Sequence, residues 1–184
     1  MQAAGLVSLF DDPGLVATFY APTDSGFAST LAALALAPQD LLEDAMATSM
    51  LLQAHIIPGL SLDKADFRDH QLYDTLLVDT KGRAAQVQFD YGVAYDQAAL
   101  KAQGGLAAAR GAAERRYSIV PSGGDPARVV EFDLNAGCPA AVHVIEGVLV
   151  PAFEDAKLME LAHARVEADG VLVADRQPAP VAAP

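Results

Sequence analysis

The sequence contains one cysteine, one asparagine and half as many basic as acidic residues. Each shortage excludes a structural feature or a class of partner. Cys138 cannot form a disulfide within the chain. This does not assign the chain to a reducing compartment, since a domain with a large core can be secreted without disulfides. Asn135 is followed by Ala-Gly, so the chain has no N-glycosylation site. No run of about 18 apolar residues is present, which excludes a transmembrane helix.

The shortage of basic residues restricts the classes of partner. Lys and Arg number 12 against 24 Asp and Glu, which gives a formal net charge of −12. Such a surface repels nucleic-acid phosphates and anionic lipid headgroups, so we expect neither nucleic acid nor direct membrane insertion. Met1–Leu6 lacks the basic and apolar stretches of a signal peptide. The residues alone therefore do not indicate a cellular location.

Length and composition predict one globular domain with appendages. The chain has 184 residues, of which 52% are hydrophobic, so it can bury a sizeable core. The domain is predicted at residues 1–151, with an insertion at about 98–126, of which the alanine-rich part, Ala98–Arg116, is predicted to be helical. Residues 152–176 are predicted to form a C-terminal helical extension. Residues 177–184 read Gln-Pro-Ala-Pro-Val-Ala-Ala-Pro, a Pro/Ala-rich composition that is typical of an extended linker or tail.

The predicted elements are three helices in the first half followed mainly by strands. The first helix begins after Pro22, with Thr23 or Asp24 as its cap. The second begins near Pro38 and continues through Met46, and the third covers Ser49–His55. Strands are predicted from β-branched and alternating patterns at Leu15–Tyr20, Gln71–Val78, Ala85–Tyr91, Tyr117–Pro121, Val129–Leu134 and Val142–Val150.

Three motifs carry the most information. Residues 16–27 run from a strand through Ala-Pro-Thr-Asp into a helix that holds Phe27. Residues 51–59 run from a helix through His55 and two isoleucines to Pro-Gly, and residues 141–151 read Ala-Val-His-Val-Ile-Glu-Gly-Val-Leu-Val-Pro. In this order and at these spacings the motifs resemble those of the fasciclin (FAS1) domain family.

The resemblance implies an α+β fold, a twisted β-sandwich or wedge with several helices packed along one side. It implies a non-enzymatic role in adhesion, through contact with extracellular matrix or a cell surface, and an extracellular or cell-surface location. The implied partners are a protein or glycan and other FAS1 modules. No cofactor and no metal is expected.

The chain departs from the family pattern at several positions. Ala54 stands where many members have a tyrosine before the histidine, so the pair tied to integrin binding in animal members is half absent. Glu146 stands where Asp is common. The family's first helix normally has more turns than Met1–Leu9 supply, which predicts either a fragment boundary at Met1 or a short helix that leaves apolar surface open.

Two sets of residues follow as site predictions. The imidazole of His55 is predicted to hydrogen-bond Thr23 or Asp24, which ties two motifs together, and His143 is predicted to be half-exposed on a strand. The predicted structural residues are Thr23, Asp24, Phe27, His55, Gly147 and Pro151. The predicted contact residues are Ala54, His55, Ile56, Ile57, Pro58, Gly59, His143 and Glu146.

Two other classes of function remain open at this stage. A hydrolase would use Thr23, Asp24, Ser25 and His55, although the Gly-x-Ser-x-Gly motif of a nucleophile elbow is absent from the sequence. A soluble carrier of a hydrophobic molecule is the main alternative, because some algal fasciclin proteins bind carotenoids. Its groove is predicted to be lined by Met46, Met50, Leu51, Phe67, Tyr73, Phe89, Tyr91 and Tyr95.

Overall fold

A computed structural model describes residues 6–79, 81–94, 114–135 and 138–151. The helices are α1 (Val7–Phe10), α2 (Asp24–Ala33), α3 (Pro38–Glu43) and α4 (Ala45–Ala54). The strands are β1 (Ala17–Pro22), β2 (Ile56–Pro58), β3 (Gln71–Val78), β4 (Ala84–Ala94), β5 (Glu114–Pro121), β6 (Ala127–Glu131) and β7 (Ala140–Glu146). The predicted α+β class, with helices in the first half and strands after them, is confirmed. No helix within these ranges is long and apolar enough to cross a membrane.

The seven strands within the described ranges belong to one sheet, in the order β2-β1-β7-β6-β5-β4-β3. Only β1 and β7 are parallel among these neighbours, and the remaining pairs are antiparallel. The parallel register places Phe19 opposite Val142 and Tyr20 opposite His143. The first and third sequence motifs, which are more than a hundred residues apart, therefore lie side by side at one end of the sheet.

The core is divided between the sheet and the helices. The largest cluster takes side chains from six of the strands and from the loop residue Phe67, whose ring stacks on Phe89 at a centroid distance of 4.4 Å. A second cluster joins α2, α3 and α4 to Val148, which follows β7. A third joins α4 to β3 and β4 through Ala54, Leu77 and Ala85. Burial of these apolar surfaces holds the helices against the sheet.

The boundary between α3 and α4 differs from the prediction. The helix that begins at Pro38 ends at Glu43 and does not continue through Met46. Asp44 instead caps α4, since its carboxylate accepts hydrogen bonds from the backbone N–H groups of Met46 and Ala47 at 3.0 and 2.9 Å. An aspartate that satisfies two unpaired N–H groups starts a new helix more effectively than it extends an old one.

The predicted helical insertion is wrong at its C-terminal end. Glu114, Arg115 and Arg116 begin β5, where they pair with Ala94, Val93 and Gly92 of β4. Cross-strand pairing therefore overrides the helical tendency of the preceding alanine-rich sequence. Residues 95–113 lie outside the described ranges, as do the predicted extension at 152–176 and the linker at 177–184.

Candidate functional site

The first and third motifs are joined at a contact between two glycines. A Cβ atom on Gly26 would overlap the backbone nitrogen of Gly147, closer than real Cβ contacts come. Gly147 has a φ of +140°, which side chains disfavour. Next to this contact, the Thr23 N–H donates to the Ile145 carbonyl at 2.9 Å. The start of α2 is therefore fixed against the end of β7.

Thr23, rather than Asp24, caps α2. Its hydroxyl oxygen accepts the Gly26 N–H at 3.1 Å, while Asp24 is the exposed first residue of the helix. Further along α2, the Thr30 hydroxyl accepts the Val148 N–H at 3.3 Å. Both threonines therefore contribute to the attachment of α2 within the domain.

His55 is buried, with 6% of its surface exposed, and its imidazole ties the second motif to the third. Its Nε2 accepts the Leu149 N–H at 2.9 Å, so the proton is on Nδ1, which donates to the Leu51 carbonyl at 2.7 Å. Burial lowers the pKa of His55 to about 4, which keeps the ring neutral. Because backbone groups occupy both nitrogens, the predicted hydrogen bond to Thr23 or Asp24 is wrong.

His143 is fully buried, so the prediction of a half-exposed position is wrong. Its Nδ1 accepts the Asp133 N–H at 3.2 Å, and its Nε2 donates to the Leu62 carbonyl at 2.8 Å. Burial lowers the pKa of His143 as well. Strand alternation correctly separates His143 from Val142 and Val144, but it cannot show which face is the interior. Here the histidine faces the core and packs edge-on to Phe67.

Burial reduces the predicted contact set to a few accessible residues. The structure buries Ala54, His55, Ile56, Ile57 and His143. Pro58, Gly59 and Glu146 are exposed. Of the predicted contact residues, these three are the ones that a partner can reach without rearrangement of the fold.

A groove of about 350 Å³ lies beside Glu146. It is formed by α2, by the turn between β5 and β6, and by the chain that follows β7. Its described lining consists of Ser29, Thr30, Ala33, Leu34, Gly123, Gly124, Asp125, Pro126, Glu146, Gly147, Val148 and Val150. Three remote segments build this groove, and the sequence analysis missed it because no local pattern connects them.

A second, almost wholly apolar cleft of about 430 Å³ lies beside α1. The ring of Phe10 contacts that of Phe19 with centroids 5.2 Å apart. The described lining consists of Phe10, Phe19, Tyr20, Ala21, Pro22, Leu52, His55, Ile56, Ala140 and Val142. None of the described residues predicted to line a ligand groove belongs to it, and Tyr95 lies outside the described ranges. Leu51, Phe67 and Phe89 are buried in core clusters instead.

Asp69, His70 and Asp90 form an exposed cluster whose ligand atoms lie within 4.8 Å of one another. Nδ1 of His70 is 2.9 Å from Asp90 Oδ1, and Nε2 is 3.7 Å from Asp69 Oδ2. The hydrogen bond to Asp90 and the charges of both carboxylates raise the pKa of His70. Because the two nitrogens face different carboxylates, the arrangement suits a protonated imidazole better than a shared metal ion.

The atoms of the hydrolase hypothesis are not assembled for catalysis. The hydroxyls of Thr23 and Ser25 lie 3.3 Å apart. His55, which would act as the base, uses both ring nitrogens in hydrogen bonds to the backbone. The described geometry therefore lacks the hydrogen bond from a nucleophile to a base that this chemistry requires.

Comparison with known proteins identified one family. The model of the fasciclin domain matches residues 1–151. Among solved structures, the chain is similar to a FAS1 domain pair from the insect cell adhesion molecule fasciclin I, with 16% sequence identity and a TM-score of 0.45. The match covers 73% of this chain and 36% of that one. No curated protein matches.

Proposed function

The chain belongs to the fasciclin domain family, and from this premise we propose that it is a non-enzymatic adhesion module that contacts extracellular matrix or a cell surface. Its partner is a protein or glycan, or another module of the same family. The proposal includes an extracellular or cell-surface location and a sheet folded over as a sandwich or wedge. It also includes the domain at 1–151 with its insertion at about 98–126, the extension at 152–176 and the linker at 177–184.

The observation that carries this proposal is the internal use of the motifs' polar groups. Thr23, His55 and His143 each hydrogen-bond to the backbone of the domain itself. The motifs therefore build the scaffold, and their polar side chains are not assembled around a reacting atom. Such a scaffold leaves recognition to its exposed surface.

The accessible contact residues are Pro58, Gly59 and Glu146. Pro58 ends β2, which lies at one edge of the sheet, and Gly59 follows it. Glu146 ends β7 and borders the groove described above. These positions define the surface to be tested first.

An adhesion assay with the folded chain tests the proposal. Beads coated with the chain should aggregate or bind saturably to cells and to matrix-coated wells, and heat-denatured chain should not. Beads coated with the double variant Glu146→Gln, Pro58→Ala should lose this binding. Failure of folded chain to bind cells, matrix or other coated beads would exclude the adhesion role.

The apolar cleft favours a second candidate function, a soluble carrier of a hydrophobic small molecule such as a carotenoid. A cleft of about 430 Å³ falls within the usual range for small-molecule sites, and its lining is mainly aromatic and aliphatic. Purified chain should then carry a visible absorption band or take up an added polyene. Leu52→Asp, inside the cleft, should abolish uptake, whereas Leu42→Asp, on an exposed residue outside it, should not. A colourless protein that takes up no polyene would rule out this candidate.

A further inference from the structure

We propose that the groove beside Glu146 binds a basic peptide segment, in which a lysine or arginine is flanked by small apolar residues. The inference rests on the proposed function, because it names the chemistry of the partner at an adhesive contact. It concerns a place that the family motifs do not define by themselves, since α2 and the turn between β5 and β6 supply much of the groove.

The charge of the groove favours a basic segment. Asp125 and Glu146 place exposed carboxylates on the groove, and its described lining contains no Lys, Arg or His. The whole chain carries a formal charge of −12. A basic segment is therefore attracted at long range and meets acceptors at the groove, while an acidic segment is repelled.

Apolar side chains lie beneath the carboxylates of the groove. Val148 and Val150 are buried, and Leu34 is half-buried at the end of α2. Lysine and arginine place their methylene stems on such surface while the charged group reaches a polar rim. The neighbouring Gly123 and Gly124 are exposed and carry no side chain, which leaves room for the backbone of an extended segment.

The walls of the groove are held together by the fold. The hydrogen bonds of Thr23 with Ile145 and of Thr30 with Val148 connect two walls of the groove. The close contact of Gly26 with Gly147 lies beside them. Since the walls are fixed before a partner arrives, binding orders little of the protein, and less of the interaction free energy is lost.

Arg128 of the chain already pairs with Glu146, as a lysine or arginine of a bound segment would. Its Nη1 lies 3.9 Å from Glu146 Oε2, and both side chains are about half exposed. An incoming cation competes with this weak, solvent-screened pair. We therefore expect Arg128→Gln to strengthen binding of a basic segment.

The test uses the full chain and a labelled peptide in which two lysines alternate with alanine and valine. Fluorescence anisotropy measures the binding of the peptide to the chain. The peptide should bind the chain, and its affinity should fall as the salt concentration rises to about 0.5 M. The affinity should also fall when the lysines of the peptide are replaced by glutamine. Glu146→Gln and Asp125→Asn should each weaken binding about threefold, and the double variant about tenfold. Glu131→Gln, an exposed acid outside the groove lining, is the charge-matched control.

A pair of neighbouring substitutions isolates the groove from the general charge of the surface. Ala32 and Ala33 are both exposed on α2, but only Ala33 of this pair lines the groove. Ala33→Lys should place a lysine of the chain itself in the groove and abolish peptide binding, while Ala32→Lys should leave it nearly unchanged. Equal effects of the two variants, or equal binding of the glutamine peptide, would overturn the proposal.

The outcome for the groove can be separated from the outcome for adhesion. If the chain adheres to cells or matrix and the double variant adheres equally well, the groove proposal is overturned and the proposed function stands. If the wild-type chain binds the peptide through the groove but shows no adhesion, the proposed function fails and the groove remains a site for basic peptides.

Discussion

His55 and His143 show how single side chains connect distant parts of the chain. Each ring accepts one backbone N–H and donates to one backbone carbonyl, but the proton is on Nδ1 in His55 and on Nε2 in His143. Each is thus a neutral histidine with both nitrogens satisfied. A buried imidazole that makes two hydrogen bonds stabilises the fold, whereas one left unpaired would destabilise it.

Tyr20 is the contrasting residue. Its hydroxyl is buried and has no hydrogen-bond partner among the described residues, and burial raises its pKa. Tyr20→Phe removes a polar atom that lost its water on folding, so we expect the free energy of unfolding to stay equal or to rise by up to about 1 kcal/mol. Urea denaturation measures this, with Tyr91→Phe on an exposed ring as the control. A loss of stability in Tyr20→Phe would mean that the hydroxyl is satisfied after all.

At the scale of secondary-structure elements, single side chains decide where helices begin. Thr23 and Asp44 stand before α2 and α4, and each accepts N–H groups of the first turn. In both cases the side chain satisfies a donor that has no partner within the helix. This local chemistry explains why α2 begins where the sequence predicts, and why α4 is separate from α3.

Replacement of Thr23 tests the assignment of the cap. Thr23→Ala should lower the free energy of unfolding by about 1 kcal/mol, because the Gly26 N–H loses its acceptor. Asp24→Ala should cost only a few tenths of a kcal/mol, since the exposed carboxylate contributes mainly through the helix dipole. Chemical denaturation of both variants distinguishes the roles, and the reverse order would return the cap to Asp24.

At the scale of the whole molecule, the glycine contact between α2 and β7 brings the helical and sheet halves together. Gly26→Ala would place a methyl group against the backbone at Gly147, where no side chain can move aside. We expect a loss of at least about 3 kcal/mol or failure to fold. Gly92→Ala is the matched control, because its Cβ would meet nothing within 4 Å. Equal thermal stability of the two variants would contradict the close contact.

The neutral state of His55 makes the stability of the whole domain depend on pH. The pKa is about 4 in the folded chain against 6.5 for a free histidine, so between these values the unfolded chain binds more protons. Stability is therefore lost as pH falls from about 6.5 to about 4, by on the order of 3 kcal/mol. Urea denaturation across this range should show the wild type losing its advantage over His55→Gln. A difference in stability that stays constant with pH would exclude this linkage. The lowered pKa of His143 contributes equally to both proteins and therefore does not change the difference.

Much of the fold was predictable because it depends on local chemistry. Pro22 followed by Thr23 predicts the end of β1 and the start of α2, and alternation within Val142–Val144 predicts which side chains share a face. Gly26 and the groove beside Glu146 were not predictable. A glycine in a helix does not show which backbone approaches it, and a groove built by three segments has no pattern in any one of them.

The sequence by itself determined the order of the elements, the capped start of α2 and the family, because these depend on neighbours within a few residues and on motifs in order. Only the tertiary structure decided that His55 binds the Leu149 N–H and that His143 is interior. The physical reason is that every residue other than proline carries the same backbone N–H. A side chain's partner 94 residues away is therefore selected by packing and not by residue type.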